Sequence, residues 1–316
     1  MAGATTVPSV AASLGPGRRR AGTIRSAVLV LVGLAVLWEA AKWLGGDPWR
    51  LHGTVLGVAI DYEHFPPLRF PFANDINLPH LWAVLAALVE PAQRNGPPLV
   101  SILIGATRVT LVEAVAGFAI GTVGGLLLAI AFVHVRLLER GLAPYVIASQ
   151  TVPIIAIVPP IVIGLGPPFR ALGIPWLAVA LVSAYLAFFP VTIGALRGLR
   201  SADPRSFELL RSLASTTGDV LFKLRLPAST PYVFTALKIS ATTALVGAII
   251  GELPSSIRDG LGGVILNLNQ YYSLAPQRLW AAILFASVLG ILLYSIVALA
   301  ERRVLAGRYR PEEAAA

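Results

Sequence analysis

The chain has 316 residues, of which 56% are hydrophobic and only 13% charged, with a formal net charge of +9. That charged fraction is about half that of an ordinary soluble domain, and a soluble fold of this length could not hide so much apolar surface, so the expected solvent is lipid. The absence of cysteine excludes a disulfide framework, a thiolate metal site and a cysteine nucleophile.

In chain order, Arg18, Arg19, Arg20 and Arg25 stand around the start of an apolar run from Ile24 to Leu44. The run has the roughly 20 residues needed to span a bilayer. No small-residue cleavage site follows it, so it reads as a retained transmembrane helix at 24–44 behind a tail at 1–23. The segment 45–110 is a long loop rich in proline and carries Trp49, Tyr62, Phe65, Phe70, Phe72 and Trp82, with Trp43 just before it. Aromatic side chains near span ends suit the headgroup level. The stretch Leu81 to Val89 is too short to span and is expected to be an interfacial helix, as is the stretch before Thr110.

Five more apolar segments, at 111–133, 143–164, 175–196, 231–251 and 279–300, complete the set. Lipid-exposed spans must satisfy their own backbone, so they are helices. No ten-residue alternation of an outer-membrane barrel is present. The expectation is an all-α polytopic membrane protein of about six transmembrane helices, with a core at 111–300 and a tail at 301–316.

Gly117, Gly121, Gly124 and Gly125 recur on one face of the second span, a spacing that allows close helix contact. Pro153, Pro159 and Pro160 are expected to kink the third span, and a kinked helix can line a pathway. Glu113 and Lys238 are charges near span ends, and Lys238 is expected to snorkel to the interface.

Basic residues orient the spans. With the N-terminus inside, the inner segments hold the four arginines of the tail, Arg136, Arg140, Arg197, Arg200, Arg205, Arg211, Lys223, Arg225, Arg302, Arg303, Arg308 and Arg310. The outer segments, longer in total, hold only Arg50, Arg69, Arg94, Arg108, Arg170, Arg258 and Arg278. Both termini are therefore expected in the cytoplasm. The positive charge marks topology and gives no reason to expect a nucleic-acid partner. His52, His64, His80 and His134 do not pair at ligand spacing. No metal site or cofactor is expected, and a lone loop histidine is expected to be solvated.

The most polar inner segment lies within 197–230. Asp203 before Pro204 is a helix start, with a capping side chain and a proline suited to the first helical position. Phe207, Leu210, Leu213 and Ala214 then share a stripe. Residues 215–218 interrupt the pattern, a second short helix runs from Asp219 to Leu226, Pro227 is expected to break it, and Thr230-Pro231 to open the next span. Apolar stripes on such a loop rest on the span ends or enter a partner's groove.

Here the sequence resembles the inner-membrane permeases of ABC importers. Their loop pattern is E-A-A, three residues, G, nine residues, I-x-L-P. Glu208, Leu224, Leu226 and Pro227 stand at that spacing, while Leu209 and Leu210 replace the two alanines and Ala214 replaces the glycine. Residues 106–121, Thr151-Val152-Pro153 through Pro159, Leu199 to Pro204 and Lys238 are similar to the nitrate, sulfonate and taurine branch. The resemblance implies the type I ABC-importer permease fold and a permease homodimer. It also implies an ATPase subunit docked on Glu208, Leu209, Leu210, Ala214, Leu224, Leu226 and Pro227, and an extracytoplasmic solute-binding protein, in a bacterial inner membrane.

The chain itself has no G-x-x-x-x-G-K-[ST] phosphate loop, so it is not expected to be an enzyme. Gln150, Pro153, Glu252, Tyr271 and Tyr272 are the candidate pathway residues. Gly251 to Pro254, Gly260 to Gly263, Gln270 to Tyr272 and Gly307 to Pro311 are similar to riboflavin importer permeases and to permeases for a pyrimidine precursor of thiamine. Riboflavin or a related flavin is the first expectation for the solute, with the pyrimidine precursor, nitrate, sulfonate or taurine as alternatives. A self-contained secondary transporter would show paired repeats and midplane acidic residues, and an intramembrane enzyme would show a nucleophile with its base. Neither pattern is evident in the spans.

Overall fold

The structure is a computed structural model that describes residues 16–55, 58–93, 95–255 and 259–306. Residues 1–15, Arg94, Arg258 and 307–316, with Arg308, Arg310 and the Gly307 to Pro311 run, lie outside the described residues. Six helices among those described are long and apolar enough to cross a membrane: Val28–Gly45, Leu99–His134, Ile154–Ala171, Trp176–Leu199, Thr217–Glu252 and Pro276–Ala306. The chain divides into two compact units, residues 1–86 with 273–277, and residues 87–272 with 278–316.

In the first unit, α1 (Pro16–Gly45) is followed by a hairpin of β1 (Trp49–Val55) and β2 (Val58–His64). The two strands are antiparallel, with Trp49 opposite His64. The hairpin was not expected in what reads as a loop with interfacial helices. Trp49, Tyr62 and His64 of the hairpin form an aromatic cluster with Trp43, His80 and Trp82: Trp43 stacks on His64 at 4.9 Å, His80 on Trp82 at 3.8 Å, and Trp49 meets Tyr62, His64, His80 and Trp82 at 5.3–5.8 Å. His64 and His80 are thus buried, against the expectation of solvated histidines. His80 Nδ1 donates to Glu39 Oε2 at 2.9 Å, and the Leu81 amide donates to Glu39 Oε1 at 2.6 Å. Lys42, fully buried, donates to the Ala73 carbonyl at 3.1 Å and pairs with Asp75. A buried ammonium is tolerated only with such partners.

α2 (Leu81–Val89) begins in the first unit and ends in the second, where the chain turns into α3 (Leu99–His134). The helix starts at Leu99, well before the expected 111, and the stretch before Thr110 is part of it and not an interfacial helix. At 1.5 Å per residue it is about 54 Å long, well beyond the roughly 30 Å hydrocarbon core. The expected single span at 143–164 is instead two helices, α4 (Arg136–Ser149) and α5 (Ile154–Ala171). Pro153 disfavours helical geometry at Val152, so the chain turns over Gln150–Val152 and a new helix begins. The other prolines, Pro159, Pro160, Pro167 and Pro168, all lie inside α5.

The core of this unit is a layer of α3, α6 (Trp176–Leu199) and α9 (Leu226–Glu252). Glycine makes the contact possible. A Cβ on Gly121 would sit 2.6 Å from the Ala184 carbonyl and 2.9 Å from Ala187 Cβ, and one on Gly125 would sit 2.8 Å from the Phe188 carbonyl. Gly117 presses on α6 in the same way, whereas Gly124 has nothing nearer than 3.7 Å. The packing face is therefore the strict four-residue series 117, 121, 125. On its other side α6 meets α9 through Gly194, Gly198, Gly247 and Gly251. α10 (Leu261–Gln270) and α11 (Pro276–Ala306) complete the chain.

Candidate functional site

The polar segment after α6 folds as its local signals require. Asp203 accepts from the Arg205 amide at 3.2 Å, Pro204 takes the first helical position, and α7 runs Pro204–Ser212. The chain then reverses. The Ala214 amide donates to the Arg211 carbonyl at 3.0 Å and the Ser215 amide to that of Leu210 at 3.1 Å. Ala214 sits in the left-handed region with φ 51°. Glycine adopts that conformation without penalty and alanine does not, which gives a physical reason why the loop pattern of the related permeases has glycine there.

A second start signal follows. Thr216 and Asp219 form a reciprocal capping box at the head of α8 (Thr217–Asp219), and Lys223 pairs with Asp219 at 2.5 Å. The next turn, Val220–Arg225, is widened into a π-helix, with the Leu226 amide bonded five residues back to Leu221. The expected break at Pro227 does not occur. Proline lacks the amide for an ordinary helical bond and its ring crowds the carbonyl four residues back. The widened turn accommodates both for Pro227, so the helix continues from it into α9, which also holds Pro231.

These contacts sort the expected loop residues into two groups. Glu208, Leu209, Leu213 and Ala214 are exposed, Leu209 by 61% and Leu213 by 67%, with Phe222 at 69% beside them in sequence on the π turn. Phe207, Leu210, Leu224 and Leu226 are half-buried. The Arg225 guanidinium lies 5.0 Å over the Phe207 ring, tying α7 to the head of α9. Leu226 packs against the cluster of Ala129, Phe132, Ala195, Leu196 and Leu199. Leu226 and Phe207 hold the loop in place, while Glu208 and Leu209 face outward. The expected stripe of Phe207, Leu210, Leu213 and Ala214 is therefore divided between the two faces. Phe222 was missed by the sequence reading; its position on the widened turn is the signal that finds it.

The candidate pathway residues fall in three separate places. Gln150 and Pro153 bound the exposed break between α4 and α5. Tyr271 and Tyr272 follow the end of α10, Tyr271 exposed by 56%. Glu252 is buried. It accepts from Thr110 Oγ1 at 2.6 Å and from the Gly262 amide at 2.5 Å, and Thr110 Oγ1 in turn accepts from the Leu261 amide at 2.8 Å. Glu252 thereby joins α3, α9 and the head of α10. Gly260 and Gly262 allow its approach, since a Cβ on either would overlap the carboxylate. Glu113 is also fully buried, and its carboxyl lies beside that of Glu252. Lys238 has an acidic partner. Its ammonium meets Glu301 at 2.7 Å, both side chains mostly buried, and so links α9 to α11.

Residues 121–306 match the family described as binding-protein-dependent transport system inner membrane component. The chain is 30% identical over 275 residues to the formylaminopyrimidine transport permease protein of Halalkalibacterium halodurans, covering 87% of this chain and 92% of that protein. It is 28% identical over 196 residues to the riboflavin transport system permease protein of Chloroflexus aurantiacus, covering 62% and 73%. Among solved structures, a chain of the crystal structure of an amino acid ABC transporter with histidines superposes with a TM-score of 0.52 at 18% identity, covering 65% of this chain and 94% of that one. The likeness shows a shared fold, the helical type I ABC-importer permease fold.

Proposed function

The chain belongs to the family of binding-protein-dependent transport system inner membrane components, and on that footing we propose that its segment 197–230 is the surface on which a separate ATPase subunit docks. The chain is a multi-pass ABC-importer permease that moves a small solute, a transport subunit with no catalytic ATPase domain of its own. ATP hydrolysis then belongs to another chain and must be coupled to the spans through protein contact. The observation that carries the docking role is the outward face of α7, with Glu208 and Leu209 exposed on a helix fixed at its start by Asp203 and held by Arg225 over Phe207. A short amphipathic helix of this kind fits a partner's groove.

The remaining parts of the reading follow from the same family logic. The basic bias puts this loop and both termini in the cytoplasm. A homodimer of permeases then encloses the pathway, and an extracytoplasmic solute-binding protein delivers the solute at the opposite face of a bacterial inner membrane. We infer that the solute is a flat nitrogen heteroaromatic. The likeness that covers more of the chain is to a formylaminopyrimidine permease, which favours a pyrimidine over riboflavin. Gln150, Pro153, Tyr271 and Tyr272 stand as pathway candidates, and Glu252 is assigned to the scaffold.

Glu208→Ala tests the docking role. It should abolish ATP-driven uptake and co-purification of the ATPase while the chain still inserts; undiminished uptake would refute it. Uptake of labelled hydroxymethylpyrimidine and of riboflavin, competed against each other, tests the solute. Uptake of nitrate or a sulfonate with neither heteroaromatic competing would overturn the solute assignment alone. Full transport by this chain without ATP would favour a secondary transporter and remove the whole reading.

A further inference from the structure

Beside the loop lies a cleft of about 1020 Å³, lined by Arg136, Glu139 and Arg140 of α4, Arg200 at the end of α6, and Arg225 at the head of α9. Four guanidinium groups thus converge on one space that holds a single carboxylate. That carboxylate is already used, because Glu139 pairs with Arg200, which holds the Glu139 carboxyl below its ordinary range. Arg225 stacks on Phe207 and leaves its buried Nε without an acceptor among the described residues. Arg136 and Arg140 have no ion-pair partner among the described residues. The cleft therefore carries uncompensated positive charge and at least one unanswered buried donor.

The other wall is apolar. It is formed by Val133, at the last turn of α3, and by Ala143, Pro144 and Ile147 of α4. The exposed surface of α4 continues that character, with Leu137 exposed by 82% and Tyr145 by 74%, and no residue of α4 is buried. The cleft lies where α3, a 36-residue helix apolar enough to cross a membrane, ends at His134 and the arginine-rich head of α4 begins. Charge at one side, apolar wall at the other and a position at the membrane surface fit one chemistry. Basic pockets between spanning helices bind anionic lipid headgroups.

We propose that this cleft binds the phosphate headgroup of an anionic phospholipid, with an acyl chain against Ile147 and Pro144. Arg136 and Arg140 supply the free charge, and Arg225 supplies the donor that has no acceptor among the described residues. Because Arg225 also contacts Phe207, lipid in the cleft sits against the anchor of α7. Lipid composition would then act on the position of the loop that meets the partner. The proposal stands whatever solute is carried.

The experiment uses the full chain purified in detergent, with cardiolipin, phosphatidylcholine and inorganic phosphate as probes, read by native mass spectrometry and by thermal shift. The test variant is the double substitution R136Q/R140Q, both positions exposed and outside the packed core. The control is R302Q/R303Q, two exposed arginines at the end of α11. Cardiolipin should be retained and should stabilise the wild type and the control. The test variant should bind it about twenty-five-fold more weakly, two surface charges at roughly fivefold each. Phosphatidylcholine should do neither. Equal loss in the control would reduce the effect to bulk charge and overturn the site. Inorganic phosphate binding as well as cardiolipin, and with the same sensitivity, would overturn the lipid source. Unchanged cardiolipin binding with lost ATPase co-purification in R136Q/R140Q would assign the cleft to the partner protein instead.

Discussion

Ala214 stands in the left-handed region, with φ 51°, at the point where α7 reverses into the Thr216 capping box. An L-residue there costs about 1–2 kcal/mol through the approach of Cβ to the following carbonyl. Ala214→Gly removes that strain. Glycine in turn loses more conformational freedom on ordering, which returns roughly 0.5–1 kcal/mol. The net gain is about 0.5–1 kcal/mol, a two- to fivefold shift toward the ordered turn at about 1.4 kcal/mol per decade. The side chain is exposed, so no packing is lost. The assay is amide hydrogen exchange over residues 213–217, where the Leu213 and Ser215 amides bond to the Leu209 and Leu210 carbonyls at 3.2 and 3.1 Å. Exchange should slow about two- to fivefold by the same estimate. Ala214→Val should accelerate it, since a β-branched side chain tolerates positive φ still less. Unchanged exchange in Ala214→Gly, or slower exchange in Ala214→Val, would show that the turn is not strained at this residue.

Three further outcomes are expected. Gly121→Ala should destabilise the α3–α6 contact, with overpacking costing about 1–3 kcal/mol, whereas Gly124→Ala should be close to neutral because its nearest neighbour is 3.7 Å away; thermal melting of the two variants side by side checks this, and equal losses would contradict the packing face. Thr110→Val keeps the shape but removes the hydroxyl between Glu252 and the Leu261 amide; leaving buried groups unpaired costs roughly 1–3 kcal/mol, so the melting temperature should fall, and an unchanged one would mean that the junction is not under load. Burial lowers the His80 pKa from its ordinary 6.5, outweighing the hydrogen bond to Glu39. The folded state therefore prefers the neutral imidazole. Its stabilising contribution is present above pH 6.5 and is lost as pH falls through and below that value. Tryptophan fluorescence from the cluster around Trp49 should report loosening between pH 7 and 5, and a cluster that tightens on acidification would refute the sign.

Substitution effects at the docking face and in the scaffold should differ in kind. Glu208 and Leu209 are exposed, so their loss should change coupling and leave melting alone. Leu226 packs into the cluster with Phe132 and Leu199, so its truncation should lower stability first. The loop pattern therefore mixes residues that meet a partner with residues that hold the presenting helix in place, and spacing does not separate them.

The sequence by itself determined the features that are encoded within a few turns of chain. The six apolar runs require helices because lipid offers the backbone no partners. Asp203-Pro204 sets the start of α7, because a capping side chain and a proline act on the next three residues. The glycine spacing marks the face of α3 that meets α6. Where local rules compete, the reading went astray. Pro153 divides one expected span into two helices, while Pro227 leaves the helix it was expected to break continuous, because the widened turn before it absorbs the missing amide. Tertiary structure alone decided what the isolated charges and aromatics do. Glu252 finds Thr110 across 142 residues, and Lys238 finds Glu301 across 63. The aromatics of the 45–110 segment meet one another through a hairpin that composition does not announce. A charged or aromatic side chain has no role until packing supplies its partner, and the partner's position in the sequence carries no local sign of the pairing.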